Sequence, residues 1–184
     1  GTAPGRVLVG TTANAFYALE PATGKTAWRW LTGADVIGGD GDRDAVFFTS
    51  LDNILRAVNR GNGNQRWIGR VATRPALPPR LVSSLQTAVY DPVVLVTGVT
   101  PDLQTFNAKT GEPLGMYTAP SELQGGLLVD PQLRPYQVAA VAVTRNGQVV
   151  GLRPTAMLLA EPTLTPPSSG LPGRPLERER LPAR

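Results

Sequence analysis

An all-β fold, part of a β-propeller with about four four-stranded antiparallel blades and a proline-rich extended C-terminal tail, is predicted from three observations. Glycine and proline number 20 and 18 in 184 residues and punctuate short apolar runs, as many strands joined by tight turns require. Within the runs, apolar residues such as Val7, Val9, Phe16, Ala18 and Trp28 alternate with small or polar ones, the period-two pattern of strands with two unlike faces. The runs also repeat, because Gly63 and Trp67 each lie 39 residues beyond Gly24 and Trp28. One antiparallel meander cannot bury both of its faces, so copies must stack, and stacking around an axis makes a propeller.

The elements follow in order. The first copy, VLVGTTANAFYALEPATGKTAWRW, runs from Val7 to Trp30: an apolar strand, a polar turn, a second strand, a turn centred on Gly24 and a third strand carrying Trp28. Only six residues precede it, so blade one (about 7–33) lacks an upstream strand. Blade two (about 34–74) takes residues 35–38 upstream, then a solvated turn over 38–44, then VFFTSLDNILRAVNRGNGNQRW up to Trp67. Blade three (about 81–120) takes an upstream strand over 81–89 and a copy starting at Val93, in which Gly111 stands 48 residues beyond Gly63. The extra length falls in residues 71–80, where Pro75, Pro78 and Pro79 mark a loop. Blade four (about 123–160) uses 123–129, 138–144, a hairpin at Arg145-Asn146-Gly147, 148–153 and a closing strand over 155–160. Asn-Gly suits a two-residue hairpin because both residues accept positive φ. Residues 1–160 are thus the propeller part and 161–184 a Pro/Arg-rich tail.

The stretch YALEPATGKTAWRW resembles the repeat of pyrroloquinoline-quinone (PQQ) propellers, whose strand ends in an Ala-x-(Asp/Glu/Asn)-x-x-Thr-Gly-Lys turn before a strand with Trp; AVNRGNGNQRW and TFNAKTGEPLGMY are more divergent copies. The resemblance implies structural roles: left-handed turns at Gly24, Gly63 and Gly111, and packing between neighbouring blades for Trp28 and Trp67. It also implies one of two functions. Quinoprotein dehydrogenases enclose PQQ and a calcium ion within eight blades, whereas cofactor-free scaffolds, such as the propeller lipoprotein of the outer-membrane assembly machine, bind other proteins. This sequence departs from the dehydrogenases in having about four blades, no cysteine pair and no Glu, Asn and Asp set for calcium. It also lacks the N-terminal cysteine that anchors the lipoprotein. The expectation is a non-catalytic scaffold or accessory subunit without a cofactor, placed in the bacterial cell envelope, periplasmic or peripheral to a membrane complex. A fragment of a PQQ-dependent oxidoreductase, with PQQ and calcium, is the alternative.

Composition narrows the chemistry. Hydrophobic residues at 41% and charged residues at 17% suit a globular chain. With no cysteine and no histidine there is no thiolate, no disulfide and no imidazole base, so Ser83, Ser84, Ser121, Ser168 and Ser169 have no histidine to activate them and catalysis is not expected. Asp40, Asp42 and Asp44 alternate as calcium ligands can. An EF-type loop would put Gly where Ala45 stands and Glu where Leu51 stands, so they form only a weak metal candidate. Of the 18 cationic residues only Lys25 and Lys109 are lysines, and the net charge is +4. Arg56, Arg60, Arg66, Arg70, Arg74 and Arg80 form a stripe that gives a second alternative, a polyanion or nucleic-acid binder. No aromatic residues are interleaved to stack on bases, and outward arginines are ordinary edge protection, so nucleic acid is disfavoured against protein partners or a peripheral membrane contact. No apolar run approaches the roughly 20 residues of a membrane-spanning helix. Residues 1–6 do not read as a signal peptide, which fits a chain that is cytosolic, processed or cut from a longer one.

The tail holds six prolines, four arginines and few large apolar residues, so it cannot fold by itself. An extended strap loses little entropy when it is ordered on a partner. Arg174, Arg178, Arg180, Pro166, Pro167 and Pro172 are accordingly the candidate partner-binding residues, together with the open blade edges.

Overall fold

The computed structural model describes residues 5–83, 91–129 and 140–152. Among them there is no helix, and fourteen strands form four antiparallel meanders. Blade one contains β1 (Val7–Gly10), β2 (Ala15–Leu19) and β3 (Thr26–Leu31). Blade two contains β4 (Val36–Gly41), β5 (Ala45–Ser50), β6 (Ile54–Asn59) and β7 (Gln65–Arg70). Blade three contains β8 (Arg80–Val82), β9 (Val93–Thr97), β10 (Asp102–Asn107) and β11 (Pro113–Thr118). Blade four contains β12 (Leu123–Val129), β13 (Ala140–Thr144) and β14 (Val149–Leu152). Each strand pairs with its chain neighbour, and the first strands of the blades touch in series: β1 meets β4, β4 meets β8, and β8 meets β12. This is an arc of a propeller, with the first strands of blades two to four on its inner side.

The core lies between sheets rather than inside one. Phe16, Ala18 and Trp28 of blade one pack on Val46, Phe48 and Val58 of blade two. Leu55, Ala57 and Trp67 of blade two pack on Val94, Val96 and Phe106 of blade three. Leu95 and Leu103 of blade three pack on Ala140, Ala142, Val150 and Leu152 of blade four. Strand alternation explains the division, since successive side chains point to opposite faces and the sheets of blades two and three are each covered on both. Across the first gap the Phe16 and Phe48 rings stack with centroids 4.3 Å apart, an arrangement that favours aromatic pairs beyond the area they bury.

Two local expectations are corrected. The upstream strand of blade two is Val36–Gly41 rather than 35–38, so Gly39, Asp40 and Gly41 belong to a strand and not to a turn. Their register is set by β5, with Asp40 opposite Phe47 and Gly41 opposite Val46. Small residues are needed there because the strand is crowded: a Cβ on Gly39 would stand 2.8 Å from the Phe47 carbonyl oxygen, and one on Gly41 would overlap that of Ala45. The hairpin between β13 and β14 is longer than two residues. Gly147 has φ +83 whereas Asn146 is not at positive φ, and the Thr144 amide donates to the Gln148 carbonyl across the turn. The expected strand over 155–160 lies outside the described residues, as does most of 81–89 beyond Val82.

Candidate functional site

The chain's distinctive local geometry is a docking contact made twice. The turns after β2, β6 and β10 share one hydrogen-bond pattern, in which the amides of Gly24, Gly63 and Gly111 donate to the carbonyls of Glu20, Asn59 and Asn107, each at 2.8 Å. The three glycines have φ of +69, +74 and +78, a left-handed conformation that costs a residue with a Cβ. Gly63 and Gly111 also serve as seats. The Trp28 indole of blade one lies over Gly63, so that a Cβ there would come within 2.8 Å of the ring, and its Nε1–H donates to the Arg60 carbonyl at 2.9 Å. The Trp67 indole of blade two lies over Gly111, at 2.6 Å from such a Cβ, and donates to the Ala108 carbonyl at 3.0 Å. Each bond links the third strand of one copy to a turn of the next, so the aromatic plate is both packed and polar-satisfied.

Blade one has the seat without an occupant among the described residues. A Cβ on Gly24 would meet nothing within 4 Å. The strand face beside it is also open. Val7 and Val9 are 47% and 37% exposed, whereas their equivalents Val46 and Phe48 in blade two are fully buried, and Val94 and Val96 in blade three are buried as well. At the other end of the arc Val143 and Val149, on the face of blade four turned away from blade three, are exposed. Two apolar sheet faces are therefore uncovered by described residues, in a fold whose other faces are paired.

A void of about 290 Å³ opens where β4, β8 and β12 meet, lined by Asp40, Asp42, Arg80, Leu81 and Val129 among others. Asp40 accepts the Leu81 amide at 2.9 Å and lies 3.7 Å from the Arg80 guanidinium. Asp42 accepts the amides of Asp44 and Ala45, both at 2.8 Å, and so closes the β4–β5 hairpin. The three aspartates do not gather as a ligand set, and no group of three acidic side chains among the described residues does.

The arginine stripe divides on inspection. Arg56 is buried, not outward-facing, because its guanidinium donates to Asp52 at 2.6 Å and to Ser50 at 2.7 Å, and it lies over the Phe48 ring. Arg60 and Arg66 donate to the carbonyls of Asp42 and Asp44. These side chains are spent on turns of their own blade. A charge cluster of this kind could be recognised in sequence, but the acceptors that consume it could not. Burial pushes the Asp52 carboxyl up, yet the bonds from Arg56, Ser50 and the Gly33 amide outweigh it and hold the group at about 2. Asp102 is held below the ordinary carboxylate range by the hydroxyls of Thr118 and Thr100. Arg174, Arg178, Arg180, Pro166, Pro167 and Pro172 lie outside the described residues.

Comparison with known proteins agrees with this architecture. The family model described as outer membrane protein assembly factor BamB matches residues 1–160. No curated protein sequence matches the chain. Among solved structures, BamB from Moraxella catarrhalis is similar at 17% identity and TM-score 0.58, covering 79% of this chain and 42% of that one. A structure of the mitotic checkpoint complex is similar at 11% identity and TM-score 0.65, covering 86% and 48%. One of BBS1N in complex with ARL6DN is similar at 13% and 0.65, covering 84% and 49%. At such identities the likeness is one of fold, and the chain spans about half the length of the solved chains it matches.

Proposed function

The chain belongs to the family of outer membrane protein assembly factor BamB, and from that membership we propose that it is a non-catalytic interaction scaffold of a larger, membrane-associated assembly in the bacterial envelope. The observation that carries the reading is the pair of uncovered apolar faces at the two ends of the arc. Val7 and Val9 expose what blades two and three bury completely or nearly so, and side chains that the next two copies bury against a neighbouring sheet are the ones a partner would cover. Two of the similar structures come from complexes, of BBS1N with ARL6DN and of the mitotic checkpoint, which supports a binding role for the architecture. In this reading the blade faces, helped by the tail, hold protein partners, and no cofactor is needed.

The test is purification of the tagged chain from its native source in mild detergent, followed by sizing and mass spectrometry. The expected result is co-elution with a larger membrane-associated complex, lost when Val7→Lys puts a charge on the open face. A monodisperse free monomer would sink the reading.

A further inference from the structure

Two turns of the chain hold an asparagine followed by glycine, Asn62-Gly63 between β6 and β7 and Asn146-Gly147 between β13 and β14, and no other asparagine in the sequence has glycine after it. An asparagine side-chain amide is lost most readily in this pair, because glycine has no Cβ to hinder its nitrogen from reaching the preceding side chain. Independently of the scaffold reading, we propose that Asn146-Gly147 is a self-modification site, where Asn146 passes through a cyclic imide to aspartate and isoaspartate, and that docked tryptophans of blade one keep the identical pair at Asn62 intact.

The Gly147 nitrogen attacks Cγ of Asn146. The N–Cγ bond forms and the Cγ–Nδ2 bond breaks, while the Gly147 amide proton goes to water and Nδ2 takes a proton from water and leaves as ammonia. Water then opens the imide: attack at Cγ gives aspartate, and attack at the main-chain carbonyl carbon gives isoaspartate. The sum is water consumed and ammonia released, with nothing oxidised or reduced. The turn leaves this path open. Asn146 and Gly147 are both exposed, and a Cβ on Gly147 would meet nothing within 4 Å. The Gly147 amide is held by one bond, to the Thr144 carbonyl at 2.9 Å. The Thr144 hydroxyl accepts from the Gln148 amide at 3.0 Å and donates to Asn146 Oδ1 at 2.5 Å, which draws electron density from Cγ and makes it the better electrophile.

At the other pair Asn62 is exposed as well, but its glycine is not. Gly63 lies beneath the Trp28 ring, its amide donates to the Asn59 carbonyl at 2.8 Å, and its carbonyl accepts the Trp30 indole N–H at 2.6 Å. The Asn62 Oδ1 is tied to the Asn64 amide at 2.9 Å. Closing an imide there would swing the Gly63 peptide plane against one indole and away from the donor of another, so blade one must undock before the ring can form. The same dipeptide is thus reactive in blade four and protected in blade two. In blade four the isoaspartyl product inserts an extra backbone carbon into the turn that pairs Val143 with Val149, both on the exposed face of that blade.

The experiment incubates the full chain in mildly alkaline buffer, withdraws samples over time, and maps aspartate and isoaspartate at both positions by peptide mass spectrometry against a sample digested at the start. The expected result is both products accumulating at position 146, at a rate at least about tenfold above that at position 62. A parallel incubation in urea sufficient to unfold the chain removes the structural difference and leaves the two dipeptides, so there the ratio should collapse towards unity. Equal rates in the folded chain, a faster rate at position 62, or no product at position 146 while the unfolded chain yields it at both overturns the proposal. A ratio that survives urea also overturns it, since neighbouring sequence and not the docked indoles would then set the rates.

Discussion

Asp52, on the turn between β5 and β6, shows how much one polar residue organises here. Its carboxylate accepts from Arg56, Ser50, the Ile54 amide and, across the blade boundary, the Gly33 amide at 3.1 Å. The Arg56 pair is largely buried, so the interaction is little screened by solvent. Because the folded carboxyl is held at about 2 rather than the usual 3.8, its contribution is fully present above pH 4 and is lost as pH falls from about 4 through 2. The shift corresponds to about 2 kcal/mol. Asp52→Asn should therefore lower stability by about that amount at pH 7, and the gap to the parent chain should close towards pH 2. Urea denaturation at the two pH values checks it. A gap independent of pH would mean that shape, not charge, is what Asp52 supplies.

At the scale of the element, the turn-and-tryptophan unit does most of the joining. Gly24→Ala and Gly63→Ala impose the same left-handed strain, about 1 kcal/mol. Only the second puts a methyl group into a docked indole, within 2.8 Å of the Trp28 ring. Gly63→Ala should therefore cost at least about 2 kcal/mol more than Gly24→Ala, as overpacking in a tight core does. Trp28→Phe, which keeps an aromatic plate but leaves the Arg60 carbonyl without its donor, should cost about 1–3 kcal/mol. Equilibrium denaturation of the three variants ranks them. The unit was legible in the sequence because tryptophan occurs only three times and the 39-residue spacing of Trp28 and Trp67 is shared by Gly24 and Gly63. What the sequence could not show is why β4 is a strand. Gly38-Gly39-Asp40-Gly41-Asp42 has every local mark of a turn, and only the close approach of β5, Phe16 and Pro78 makes small residues the ones that fit. The alternation of burial on Arg56 was hidden in the same way. An arginine on a strand reads as exposed until Asp52 and Ser50, both on the β5–β6 side of the sheet, are seen to close on it.

At the scale of the whole arc, the same substitution at equivalent positions separates a face that another blade covers from a face that no described residue covers. Val7 and Val46 are the same residue in the same strand position of consecutive copies, one 47% exposed and the other fully buried. Lysine at position 46 would place an ammonium group between two sheets beside Phe16 and Phe48, with no partner, a cost of several kcal/mol. In a chain of this size each kcal/mol moves the melting temperature by about 2–4 °C, so Val46→Lys should lower it by 10 °C or so, or prevent folding. Lysine at position 7 leaves its charge in water and should shift stability by no more than about 0.5 kcal/mol. If Val7 serves only the isolated chain, its replacement is then silent in every assay. If it serves an interface, Val7→Lys leaves the melting curve of the purified chain in place and removes the chain from its assembly, which thermal melting and co-purification measured side by side would show. Normal melting with normal assembly would mean that the partner lies elsewhere, on the Val143 and Val149 face of blade four or on the tail.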